Sequence, residues 1–168
     1  SAMLVLSLVV PSMASDYVIT VSKKDVQAGE TYTAYKIFDL QYTADGEGNV
    51  NGGIYTATPT QKAWIDANIT SGVVTFDKVD EDTFRTDING NYYIKDVNAK
   101  QFAAELNDKL DAGADSFKAV FPQAASATIA VDTCELDVGS AGYFFVTTTS
   151  GSLCNLDSTT PTASIEDK

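Results

Sequence analysis

The sequence predicts a mainly β fold, a β-sandwich carrying two short helical insertions, and three observations predict it. Short runs of aromatic and β-branched residues recur from Asp16 to Ile165 with turn residues between them. Two windows switch to helical spacing. No repeat of fixed period and no linker-like stretch divides the 168 residues, a length that suits one domain with a sizeable core.

Taken in order, Asp16–Ser22 alternates Tyr17, Ile19 and Val21 against Val18 and Thr20, the period of a strand. Ala28–Glu30 is a turn, and Thr31–Leu40 is a second, stronger strand. Asp45–Gly53 is rich in turn residues and leads into Ile54–Ala57. A short helix is expected from Thr60 to Ile69, with Trp64 and Ile65 inward and Gly72 near its end. Val73–Phe76 reads as extended, and Asn91–Lys95 follows an Asn89–Gly90 turn. The clearest helix starts at Asn98 as N-cap, places Phe102, Leu106 and Leu110 on one face, and meets Gly113 where a C′ glycine belongs. Thr128–Val131, Gly142–Thr148, Ser152–Leu156 and Ala163–Ile165 are the closing extended pieces, with a turn at Ser150–Gly151.

Composition narrows the chemistry. Apolar residues make up 44% of the chain and aromatics 10%, enough burial to offset the entropy of ordering. Acidic residues outnumber basic ones 23 to 11, for a net charge of -12, so the surface repels phosphate backbones and no nucleic-acid partner is expected. The chain has no histidine, which removes the usual general base and the commonest metal ligand together. Its two cysteines are too few for a zinc site unaided, and no glycine-rich phosphate loop is present. No enzymatic activity, catalytic residue, cofactor or metal is therefore expected.

The N-terminus carries an export pattern. Residues 3–10 are an apolar run of eight followed by Pro11–Ala14, with Ser12 and Ala14 at the -3 and -1 positions of a small-x-small cleavage site. Residues 1–15 read as a truncated signal-peptide remnant and 16–168 as the domain; an ordinary buried first strand is the alternative. Such an apolar stretch needs cover in water, which pairing as an added strand with its own domain's edge or a neighbour's would supply.

Cys134 and Cys154 in an exported chain are disulfide candidates, worth roughly 3 kcal/mol if bonded, with two buried free thiols as the alternative. The bond requires strands that neighbour directly or face each other across the sandwich. Asp45, Glu47, Asn49 and Asn51 offer alternate oxygens ahead of Gly52, but Thr56 stands where a calcium loop needs a bidentate glutamate, so a solvated hairpin is expected. Asp77, Asp80, Glu81 and Asp82 read as a charged loop, and Asn68–Thr70 is a glycosylation sequon in a eukaryotic host.

Three stretches together resemble the N-terminal domain of the sortase-assembled fimbrial backbone pilins of Gram-positive bacteria: Ala28–Asp39, Gly142–Thr147 and Thr162–Lys168. The resemblance covers Asp16 to Lys168. It implies a variant immunoglobulin-like sandwich at the base of a shaft subunit, exported and held on a cell-wall-anchored pilus. Its implied partners are neighbouring subunits and a sortase transpeptidase. Ser164–Lys168 matches the element that holds the family's linking lysine, which makes Lys168 the inter-subunit linkage candidate. Glu166 and Asp167 replace the family's Tyr-Pro there, and two carboxylates beside the amine favour its charged, non-nucleophilic form. The alternative for Lys168 is the start of a linker. The family also forms internal Lys–Asn isopeptide bonds beside a buried acid. That pattern is only echoed by Glu135 ahead of Gly142, with Lys23, Lys24 or Lys36 and Asn155 as partners. A second functional reading is an adhesin or pilus-tip module that binds host matrix or glycan.

Overall fold

The strand that starts at Thr31 runs past Leu40 to Ala44 and organises the computed structural model, which describes residues 3–8, 17–23, 29–44, 50–128, 133–149, 154–156 and 162–167. In chain order the elements are β1 (Met3–Leu8), β2 (Val18–Lys23), β3 (Thr31–Ala44), β4 (Val50–Ala57), α1 (Pro59–Asn68), β5 (Val74–Phe76), β6 (Lys78–Asp80), β7 (Thr83–Phe84), β8 (Tyr92–Val97), α2 (Ala99–Ala112), α3 (Ala114–Val120), β9 (Gln123–Thr128), β10 (Thr133–Asp137), β11 (Gly142–Thr148), β12 (Cys154–Leu156) and β13 (Thr162–Asp167).

One edge of β3 pairs with β11, from Tyr32 opposite Thr148 to Asp39 opposite Gly142. The other edge is shared, its first half by β9 and its second half by β4. The result is a seven-stranded antiparallel sheet in the order β1-β11-β3-β4-β8-β5, with β9 also on β3. A four-stranded sheet runs β10-β2-β13-β12, and β6 with β7 forms a small hairpin. Within the four-stranded sheet, β13 and β2 run parallel over Thr162–Asp167 and Val18–Lys23 while the flanking pairs are antiparallel.

Side-chain alternation along β11 divides the interior in two. Phe144 and Val146 enter a core between the sheets, with Ile19, Tyr32, Ala34 and Leu136. Tyr143 and Phe145 point the other way, into a core roofed by the helices, with Ile37, Phe102, Leu106 and Phe117. Strand β11 is therefore buried on both faces, with Phe144 and Phe145 at 0% exposure, and each such side chain contributes about 1.5–3 kcal/mol of burial. The mainly β sandwich with helical insertions forms as expected, and the helices make a third layer.

The helix boundaries correct the sequence reading. Helix α1 begins at Pro59, one residue before Thr60, because Thr58 and Gln61 build a complete capping box: the Gln61 amide donates to Thr58 Oγ1 (3.1 Å) and the Thr58 amide to Gln61 Oε1 (2.9 Å). Asn98 caps α2 as predicted, accepting from the Gln101 amide at 3.3 Å. Gly113, expected as a left-handed C′ residue, instead has φ -171, an extended conformation, and stands between α2 and α3. There are thus three helices among the described residues, not two. The third carries Phe117 and is capped by Phe121, and both rings pack edge-on against Trp64, at centroid distances of 5.9 and 5.0 Å.

The sequence reading also placed a strand at Thr128–Val131. The strand found is β9, and residues 129–132 lie outside the described residues. Strand β10 was not foreseen, because Thr133–Asp137 is mostly polar and alternates weakly.

Close approach of β11 to β3 needs a glycine at one point. A Cβ on Gly142 would stand 2.5 Å from the Phe38 carbonyl oxygen and 2.9 Å from Lys36 Cε. Gly142→Ala is expected to force the strands apart and to lower stability by about 1–3 kcal/mol in chemical denaturation.

Candidate functional site

The linkage candidate Lys168 lies outside the described residues, immediately after the last residue of β13. Strand β13 is an inner strand of the four-stranded sheet, where Glu166 lies opposite Ser22 on one side and Asn155 on the other. The position before Lys168 is therefore anchored by main-chain pairing on both edges.

The two cysteines are on the outer strands of this same sheet. Cys134 on β10 pairs with Val21, and Cys154 on β12 pairs with Asp167, with β2 and β13 between them. Three strand spacings amount to roughly 14 Å, about twice the longest Cα separation a disulfide spans. The bridge expected from the sequence requires strands that adjoin or face each other, whereas β2 and β13 stand between these two in the sheet.

The isopeptide candidates are dispersed as well. Lys36 sits on β3 of the larger sheet, where its Nζ donates to Ser140 Oγ (2.7 Å) and pairs with Asp39 Oδ1 (2.6 Å). Asn155 belongs to β12 of the smaller sheet, Lys23 ends β2, and Lys24 lies outside the described residues. Glu135 is exposed, so it cannot act as the buried acid. The buried acid that sequence reasoning missed is Glu30. It is 5% exposed at the start of β3 and accepts a hydrogen bond from Thr148 Oγ1 at the end of β11. Glutamate in an Ala-Gly-Glu turn reads as solvated, and only the long-range pairing of β3 with β11 covers it.

Carboxylates elsewhere serve turns. Asp77 accepts from Arg85 Nε at 3.0 Å, and Asp80 accepts from the Asp82 amide at 2.9 Å, tying up the hairpin of β6 and β7. That amide bond, with Thr83, holds the Asp80 carboxyl below the usual range. Asp87 is lowered likewise, chiefly by the Asn91 amide, and closes the Asn89–Gly90 turn, where Gly90 has φ 82. Residues 45–49 of the turn-rich stretch lie outside the described residues, and Asn51 belongs to β4. Among the described residues no cluster of metal-ligating side chains is present. Asn68 Nδ2, the atom a glycan would take, donates to the Trp64 carbonyl at 2.9 Å.

Two polar groups lie within the helix-roofed layer. Lys62 of α1 extends over the rings of Phe84 (4.2 Å), Phe76 (5.0 Å) and Tyr92 (5.2 Å) and ends on Asp66 Oδ2 at 2.6 Å. It thereby fastens the helix to the β6–β7 hairpin and β8 through cation–π attraction. Tyr143 places its ring against Tyr55 (5.3 Å) and Phe38 (5.6 Å), and its hydroxyl is buried with no hydrogen-bond partner among the described residues. Burial pushes the Tyr143 hydroxyl far up, and pushes Tyr55 up to about 12. The described residues assemble a paired strand edge and an anchored C-terminal strand.

No protein family, curated protein or solved structure matches this chain.

Lys62→Met keeps the apolar stem and removes the cation, so it is expected to cost about 1–2 kcal/mol in urea unfolding. Tyr143→Phe removes an unsatisfied buried hydroxyl and is expected to stabilise the domain by about 1 kcal/mol. The pH dependence follows from the same group. A raised phenol pKa contributes stability that is complete below the unfolded value near 10 and is lost as pH climbs through the folded value. Stability should therefore fall between pH 10 and about 12 through Tyr55, and Tyr143→Phe should make the alkaline loss shallower in pH-jump denaturation.

Proposed function

We propose that this domain belongs to the shaft subunit of an exported, covalently polymerised surface pilus that supports adhesion, with neighbouring subunits and a sortase transpeptidase as its partners. The order and spacing of Ala28–Asp39, Gly142–Thr147 and Thr162–Lys168 support the reading. The observation that carries it is the parallel pairing of β2 with β13, from Val18 opposite Thr162 to Lys23 opposite Asp167. A fibre subunit is pulled from both ends. Tension applied at Lys168 pulls the end of β13 along its length, against β2 on one edge and β12 on the other. The hydrogen bonds between β13 and β2, evenly spaced in a parallel pair, then bear the load together in shear rather than opening one by one.

In this reading Lys168, next after β13, supplies the amine for subunit linkage. The amine attacks the thioacyl carbonyl that the sortase has formed on a neighbouring subunit. An amide bond forms, the thioester bond breaks, and the enzyme's cysteine thiolate leaves. Glu166 and Asp167 stabilise the ammonium, so the enzyme has to remove a proton before attack. Load would then leave the domain through a strand held on both edges.

Lys168→Ala in the full-length subunit, incubated with its sortase and a partner subunit, is expected to abolish the ladder of high-mass polymers on denaturing gels. Lys168→Arg should do the same, because guanidinium does not lose its proton. A ladder that persists in both variants overturns the linkage. The isolated domain is expected to show its full sequence mass, since each internal Lys–Asn bond would remove one ammonia.

A further inference from the structure

The two ends of the seven-stranded sheet are unlike. At one end β5 is only Val74–Phe76, a short strand that offers little main chain to pair with. At the other end β11 runs Gly142–Thr148, carries no charged residue, and is buried on both faces up to Val146. Such an edge, left bare, would present a row of unpaired amides and carbonyls beside fully apolar side chains. In this structure it is filled by β1, antiparallel, from Met3 opposite Thr147 to Leu8 opposite Gly142. The residues that fill it, Met-Leu-Val-Leu-Ser-Leu, are also uncharged in a chain of net charge -12. Strand β1 is bracketed by α2 and β12, so it occupies a slot rather than an open margin. It is the terminal strand of its sheet, and its departure disrupts no other strand pair in that sheet.

We propose that the outer edge of β11, Gly142–Thr147, is a strand-acceptor site that residues 3–8 hold in this structure and that takes an uncharged, apolar, antiparallel strand from another polypeptide when they are withdrawn. The main chain of β11 supplies binding energy whatever the incoming sequence, and the slot selects for segments without charge. The acidic surface disfavours approach of acidic chains and leaves this uncharged edge as the place where another chain can dock. The inference stands on the β1–β11 register and is independent of the sortase linkage, which concerns the opposite end of the chain.

The test uses the full-length chain with a specific protease site replacing residues 10–13, cut after folding. The cut protein is denatured and refolded with an excess of a fluorescent peptide containing residues 3–8 and a solubilising lysine tail. One labelled peptide per chain is expected by native mass spectrometry, with the β11 amides that face away from β3 newly protected from hydrogen exchange. The same peptide carrying Val5→Asp should be taken up at least about tenfold less well, because a charge placed in a strand beside the apolar β11 would lose its hydration. If the chain without peptide is unfolded and the peptide restores its fold, the proposal is equally supported. Failure of the peptide either to bind or to restore folding overturns it. So does protection of the β1-facing β11 amides in a peptide-free monomer, which would mean that the domain covers the edge by itself. Self-association of the peptide-free chain that the peptide does not dissolve overturns the proposed occupant in favour of a second copy.

Discussion

Everything in this fold is arranged around the requirement that β3 and β11 be covered on both faces. Tyr32, Ala34, Phe144 and Val146 need a second sheet, while Tyr35, Ile37, Tyr143 and Phe145 need the helices. A strand pair apolar on one side only would have been content with a two-layer sandwich. Here neither the helices nor the smaller sheet is an ornament, since removing either would bare aromatic side chains of the central pair. The same demand explains Gly142, where the two strands approach too closely for a side chain. It also explains the burial of Glu30, which is carried under cover because β3 begins where β11 ends.

Much of this was legible in the chain. Strong alternation and β-branched or aromatic content identified the core of β3 and β11, the cap at Asn98 located α2, and the inward Trp64 and Ile65 located α1. What escaped was decided by partners distant in sequence. Helix α3 is short, and only its contacts with Trp64 and Tyr35 make its two phenylalanines core residues. The polar strands β9 and β10 are ordered by the ladders on β3 and β2 and carry little signal of their own. The cysteines show the limit most clearly. Their separation along the chain said nothing about strand order, and strand order sets them on opposite margins of one sheet. Of the site, the C-terminal strand before Lys168 and the need for a cover over residues 3–8 were both readable. The identity of the edge that covers them was not.

Glu30 apart, the acidic partners of the ion pairs stay near solvent: Asp39 on β3 and Asp66 on α1 are exposed, and Asp77 meets Arg85 at the β6–β7 hairpin. Pairs open to solvent add little stability. Strand β11, by contrast, offers only main chain and uncharged side chains. An acidic exterior discourages indiscriminate pairing of edges, so association is confined to uncharged segments in the correct direction. For the pilus subunit proposed above, any open sheet margin would be a route to misassembly.

The parallel partnership of β2 and β13 also sets a clock. One strand comes from the beginning of the domain and the other from its end, so their pairing closes a loop of nearly the whole domain. Contacts of such long range form late, because loop-closure entropy is lost before any of them is gained. The larger sheet lacks β11, and the smaller lacks β13, until the end of the domain has been made. Both sheets are therefore completed together and last, when β11 joins β3 and β13 arrives beside β2.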